Sequence, residues 1–80
     1  MSRPEPISTH ALFSSGTVVP KTIFIANRPV SIKRIIFQSN KRLGNTEIIT
    51  FSLASDTAVY EVDFNKSTLE WQLKNIFLEG

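Results

Sequence analysis

The chain has no cysteine and only one histidine, His10, among its 80 residues. It can therefore form no disulfide, and it offers no thiolate to a metal ion. A single imidazole cannot build a zinc site by itself, and a serine nucleophile would have no other imidazole to activate it. We therefore predict that the chain is not an enzyme and that it needs no cofactor and no metal.

Long apolar runs and glycine-rich loops are also missing. The apolar runs, such as Ile35–Phe37, are only a few residues long, far shorter than the roughly 20 residues of a membrane-spanning helix. The three glycines are too widely spaced to form a phosphate-binding loop, and the first residues lack the apolar stretch of a secretory signal. These features predict a cytoplasmic protein that does not act at a membrane.

Charge is distributed unevenly along the chain. Residues 1–42 contain seven basic residues against one acidic residue, whereas residues 43–80 contain two against six. Two interpretations stay open. Basic and acidic strands could neutralise each other across one sheet, or they could form complementary surfaces that meet between subunits.

The first 20 residues differ in composition from the rest of the chain. Three prolines and several serines interrupt every helical or strand period there. We therefore predict an extended N-terminal arm over residues 1–20 and a small β domain over residues 21–80. Four apolar residues would anchor the arm on a neighbouring subunit: Leu12, Phe13, Val18 and Val19.

The pattern after residue 21 is that of β-strands. Apolar and polar residues alternate over Thr46–Ala54 and Thr57–Phe64, as expected for half-buried antiparallel strands. Val30–Gln38 changes phase near its middle, which a bulge or burial on both faces would explain. Residues 67–78 fit either a strand or a helix. A capping-box pattern at residues 67–70 and the helical spacing of Leu69, Leu73 and Ile76 favour a helix, whereas the alternation of Leu69, Trp71 and Leu73 favours a strand. The fold class is all-β, a small antiparallel β-sandwich or partial barrel, with a C-terminal helix as the alternative.

Paired carboxylates can carry out general acid–base catalysis. Glu61 and Asp63 lie two residues apart on a predicted strand, so they point to the same face. The apolar residues between and beside them point the other way. We therefore interpret both carboxylates as solvated charges on the outer face.

A basic set is the best candidate binding surface. It occupies a stretch without any acidic residue and consists of Arg28, Lys33, Arg34, Lys41 and Arg42. Phe24 and Phe37 lie among these residues, and single-stranded nucleic-acid binders combine such charge with stacking aromatics. Both phenylalanines, however, lie in apolar runs that favour core packing. Nucleic-acid binding is therefore the alternative function.

Part of the chain resembles a family of small β-sandwich proteins found in the particles of tailed bacteriophages. The resemblance lies in Thr22–Ala26, the bend Asn27-Arg28-Pro29, Val30–Asn40, the alternating Thr46–Ala54, and Trp71–Gly80. The family usually has Pro-Ala-Gly at the bend, and its members commonly continue past the final glycine. This chain departs from the family at both places, with Asn27-Arg28-Pro29 at the bend and no further strands after Gly80. We therefore expect a smaller sheet that a neighbour's strand or arm completes.

The resemblance implies a structural role. Such proteins serve as capsid decoration or cement, fibre or tail-accessory subunits, often as trimers or rings. We expect a virion protein, assembled in the host cytoplasm, whose partners are copies of itself or other virion proteins. A homo-oligomer is the expected state, and the partner, copy number and completeness of the β domain stay open.

Overall fold

The computed structural model describes residues 5–78, which form seven β-strands and no helix. The strands are β1 (Glu5–Ser14), β2 (Thr17–Ile25), β3 (Arg28–Ser31), β4 (Arg34–Leu43), β5 (Thr46–Ala54), β6 (Ala58–Asn65) and β7 (Glu70–Leu78). They make one antiparallel sheet in the order β3-β2-β1-β7-β6-β5-β4. The predicted all-β class is confirmed, and the sheet curls into a partial barrel.

The curl follows from the link between β3 and β4. These strands lie at opposite edges of the sheet, yet only Ile32 and Lys33 separate them. The amide of Ile32 donates to the carbonyl of Lys21 (2.9 Å), and the amide of Lys33 donates to the carbonyl of Ala54 (2.7 Å). The link thus extends the hydrogen bonding of both edges and brings them together.

The same link explains the phase change in Val30–Gln38. The segment is two strands, and the register of β4 with β5 skips a residue between Ile35 and Phe37. The extra residue, Ile36, is a β-bulge that turns the following side chains to the opposite face.

The core lies on the concave face of the sheet. Alternate residues of β5 and β6 enter it, as the period of two predicted. Trp71 packs there against Phe51 and Phe64, with ring centroids 5.8 and 4.5 Å away. The buried cluster consists of Val18, Ile23, Ile49, Phe51, Leu53, Val62, Phe64, Trp71 and Leu73. Four strands, β2, β5, β6 and β7, contribute to it, so the core holds the curled sheet together.

The prediction of an extended N-terminal arm is corrected over residues 5–20, the part of it that the structure describes. Residues 5–20 belong to β1, to β2 and to the turn between them, and β1 lies inside the sheet, with β2 on one side and β7 on the other. Pro20 is accommodated at an irregular position, because it lies beside the register shift of the β1–β2 ladder at His10/Ala11. Proline is tolerated at a bulge because no ladder amide is needed there. Residues 1–4 of the predicted arm lie outside the described residues.

The C-terminal segment is a strand, so the helical alternative is wrong. The Asn65 side chain accepts hydrogen bonds from the amides of Ser67 (2.9 Å) and Thr68 (3.1 Å), which makes residues 65–69 a turn. Leu69 has a φ of +61°, which ends the turn and starts β7. Trp71 and Leu73 then alternate into the core.

Candidate protein-interaction edge

Strand β4 is a long edge strand with one side open. It pairs with β5 over its whole length, and no other strand of residues 5–78 pairs with it. Nine of its ten residues are exposed, Ile35 being half-buried. Three of the exposed residues are large and apolar: Ile36 (49% exposed), Phe37 (59%) and Leu43 (60%). An open edge with exposed apolar side chains is a template for pairing with another chain.

The bulge at Ile36 places a basic and apolar row on the convex face of β4. Cross-strand partners share a face, and the partners of this row on β5 alternate with the core residues Ile49, Phe51 and Leu53. The row consists of Arg34, Phe37, Ser39, Lys41 and Leu43. Phe37 therefore lies between two cations and points away from the core, so its predicted core role is wrong.

The structure separates the predicted basic set. Arg34, Lys41 and Arg42 lie on β4, with Arg42 on the face opposite to that of the other two. Lys33 lies in the link and forms an exposed ion pair with Asp56 (3.7 Å). Arg28 lies on β3, the other edge strand. Within residues 5–78, Arg28, Arg34, Lys41 and Arg42 form no ion pair, so one ion pair, Lys33–Asp56, joins the basic and acidic parts of the chain.

Glu47 connects the two strands of the β4–β5 hairpin. The Asn40 amide donates to one Glu47 oxygen (3.5 Å), and the Lys66 ammonium approaches the other (3.4 Å). The hydrogen bond from Asn40, the hydrogen bond and charge of Lys66, and the charge of Arg42 lower the pKa of Glu47. The contact fixes the side chain of Asn40 at the centre of the open edge.

The four predicted arm anchors form two cross-strand pairs of the β1–β2 hairpin. Leu12 lies opposite Val19, and Phe13 lies opposite Val18. Val18 is buried in the chain's own core, so its predicted contact with a neighbour is corrected. Leu12 and Phe13 are exposed, and Val19 is half-buried.

Phe13 lines an apolar groove where β1 and β7 diverge. Their pairing ends at Ile7–Trp71, and beyond it lie two adjoining hollows of about 380 and 550 Å³. Phe13, Phe64 and Leu69 line both hollows. The groove is a second exposed apolar surface, separate from β4.

The prediction that Glu61 and Asp63 are both solvated charges on the outer face is wrong for Asp63. Asp63 is buried, and its carboxylate accepts a hydrogen bond from the Thr50 hydroxyl (2.8 Å) and from the Lys74 ammonium (3.4 Å). Glu61 accepts a hydrogen bond from the Asn75 amide (2.9 Å). In the described part of the chain, no cluster of acidic, histidine or cysteine side chains has the arrangement of a metal site. Period-two alternation predicts the face of Asp63 but carries no signal for its burial.

Together these features define an all-β partial barrel with one long, exposed edge strand. Comparisons of the chain with protein families, with curated proteins and with solved structures found no match. Residues 5–78 include no helix of the length and apolar character that crossing a membrane requires.

Proposed function

We propose that this chain is a structural assembly protein that acts through protein–protein contacts, with β4 as its contact surface. The observation that carries the proposal is the open edge of β4, along which Phe37 and Leu43 are exposed. Its unpaired amides and carbonyls can continue the ladder into another chain. Burying an apolar side chain of this size contributes about 1.5–3 kcal/mol, so a contact at both residues would be favourable.

The resemblance to small bacteriophage β-sandwich proteins supports a more particular version. In that version the chain is a virion component, a capsid decoration, cement or tail-accessory subunit, assembled in the host cytoplasm. Its partners are copies of itself or other virion proteins. An open edge fits a subunit whose sheet is completed by a neighbour.

Light scattering after size exclusion, at rising protein concentration, tests the assembly function. We expect the native chain to form oligomers and the double variant Phe37→Ser/Leu43→Ser to remain monomeric. Leu12→Ser is the matched control, because Leu12 is 58% exposed but lies on β1. A native chain that stays monomeric at every concentration would refute self-assembly, and loss of assembly in Leu12→Ser alone would move the contact surface to the β1–β2 hairpin.

Nucleic-acid binding is the second candidate function, and one observation favours it. Arg34 and Lys41 flank exposed Phe37 on one face of β4, without ion-pair partners among residues 5–78. Cations beside an exposed aromatic ring suit the backbone and bases of a single strand.

Fluorescence anisotropy with a single-stranded oligonucleotide distinguishes the two candidates. Nucleic-acid binding predicts salt-sensitive affinity that Arg34→Glu/Lys41→Glu abolishes, whereas Lys21→Glu/Arg28→Glu, on β2 and β3, has a smaller effect. Equal losses in both variants would indicate non-specific attraction, and no binding at low salt would remove this candidate.

A further inference from the structure

The backbone groups on the open edge of β4 can be assigned from one hydrogen bond. The amide of Lys66 donates to the carbonyl of Glu47 (3.0 Å), so this carbonyl points toward β6. Glu47 lies opposite Arg42 in the β4–β5 ladder. That pair is therefore a non-hydrogen-bonded one, and the amide and carbonyl of Arg42 point away from β5. Because antiparallel ladders alternate, those of Asn40 and Gln38 also point to the open edge.

These positions are self-complementary in one antiparallel register. With a two-fold axis at Asn40, Phe37 lies opposite Leu43 of the partner subunit, and Ser39 lies opposite Lys41 of the partner subunit. Gln38 faces Arg42 of the partner subunit, and Asn40 faces its own equivalent. Every outward residue then belongs to a hydrogen-bonded pair, which exchanges both backbone bonds. The two exposed apolar residues of the convex row pack on each other twice.

Neighbouring registers are less favourable. An axis at Lys41 sets lysine directly opposite lysine, which is destabilising. An axis at Ser39 puts Phe37 opposite Lys41 and leaves a shorter regular segment, because the bulge at Ile36 interrupts the strand. An axis between two residues would pair side chains from opposite faces, which the pleat does not allow.

We infer that the partner at the open edge is β4 of a second copy of this chain, paired antiparallel about Asn40 to join two sheets into one. This inference rests on the proposed assembly function and names its partner. The interface is isologous, since the same residues lie on both sides of the axis. In this register Lys41 and Arg42 face Ser39 and Gln38 of the partner subunit, so no two cations lie directly opposite each other.

Cysteine cross-linking tests the register, because the native chain has no cysteine and each single variant can cross-link only between copies. Cα atoms of a hydrogen-bonded pair lie about 5.5 Å apart, within the range that a disulfide spans. We expect Asn40→Cys to form a covalent dimer on the order of tenfold faster than Thr57→Cys, an exposed control in the β5–β6 turn. A mixture of Ser39→Cys and Lys41→Cys should form the mixed dimer faster than either forms with itself.

The outcomes separate this inference from the proposed function. If the native chain assembles in light scattering but Asn40→Cys cross-links no faster than Thr57→Cys, the inference is overturned and the assembly function stands. If the native chain is monomeric at every concentration, self-assembly and the inference both fail. Unchanged circular dichroism of each variant ensures that the comparison concerns folded protein. Rapid cross-linking at Asn40, together with the mixed Ser39–Lys41 dimer, supports the Asn40-centred pairing.

Discussion

Strands β4 and β5 are the two arms of one hairpin, yet they have opposite environments. Both contain isoleucine, phenylalanine and leucine. In β5 these residues alternate into the core between two paired neighbours, and Phe51 is fully buried. In β4, an edge strand, Phe37 is exposed because the bulge at Ile36 turns it to the convex face. The comparison teaches that position in the strand order, more than apolar content, decides whether a strand supports the fold or offers a surface.

The largest expected effect compares the two phenylalanines. Phe51→Ala should lower the free energy of unfolding by about 3–5 kcal/mol, because it opens a cavity in the core. Phe37→Ala should change the stability of the monomer by only about 0.5 kcal/mol, since the ring is already exposed. Urea unfolding at low protein concentration measures both. Similar losses in the two variants would contradict the assigned roles of the strands.

The next effect concerns the side-chain hydrogen bonds on the convex face of β5, β6 and β7. Asp63→Ala removes the acceptor of the Thr50 hydroxyl and of the Lys74 ammonium. The expected loss is about 1–3 kcal/mol, because a partly buried donor loses its partner. Asp56→Ala is the control, since its ion pair with Lys33 is exposed and worth about 0–1 kcal/mol. Thermal and urea unfolding should show a larger loss of stability for Asp63→Ala than for Asp56→Ala. A larger loss for Asp56→Ala would refute the buried hydrogen-bond network.

A smaller effect is expected at the turn that joins β4 to β5. Gly44 has a φ of +62°, and no atom approaches the position that its Cβ would occupy. Gly44→Ala should therefore cost about 1 kcal/mol through backbone strain alone. Gly44→Asn should cost less, because asparagine tolerates this conformation. If the alanine and asparagine variants unfold at the same urea concentration, the strain is not the cause.

The smallest effect is the pH dependence of the contact between Asn40 and Glu47. The pKa of Glu47 is lowered in the folded chain from its ordinary 4.5, first by the hydrogen bond from Asn40 and then by Lys66. A lowered folded pKa stabilises the fold above the unfolded pKa, and this contribution is lost as the pH falls through the folded pKa. Thermal unfolding across the acidic range should therefore decline less steeply for Glu47→Gln than for the native chain. Parallel curves would show that the contact contributes nothing.

Local pattern predicted the strands that lie inside the sheet. Thr46–Ala54 and Thr57–Phe64 alternate clearly, because each has one buried and one outer face. The pattern did not reveal β1, since prolines and serines obscure its period, and Pro20 is accommodated only by an irregularity of the β1–β2 ladder. Nor did it reveal the capping of the 65–69 turn by Asn65, which decides against a C-terminal helix.

The candidate site was predicted in part. Arg34, Lys41 and Arg42 were identified from their charge, but Phe37 was assigned to the core, because an apolar run does not show whether its strand lies at an edge. That property depends on which strands pair over long sequence separations, here β1 with β7. The virion role drawn from the resemblance stays a prediction.

Amide hydrogen exchange by NMR, at low and high concentration of the native chain, tests the central claim most directly. The amides of Ser39 and Lys41 face β5 and should be protected at both concentrations. Those of Gln38, Asn40 and Arg42 face the open edge and should become protected only at high concentration. Exchange at these three amides that does not change with concentration, in protein that remains folded, would contradict the claim that the edge of β4 is where copies of this chain meet.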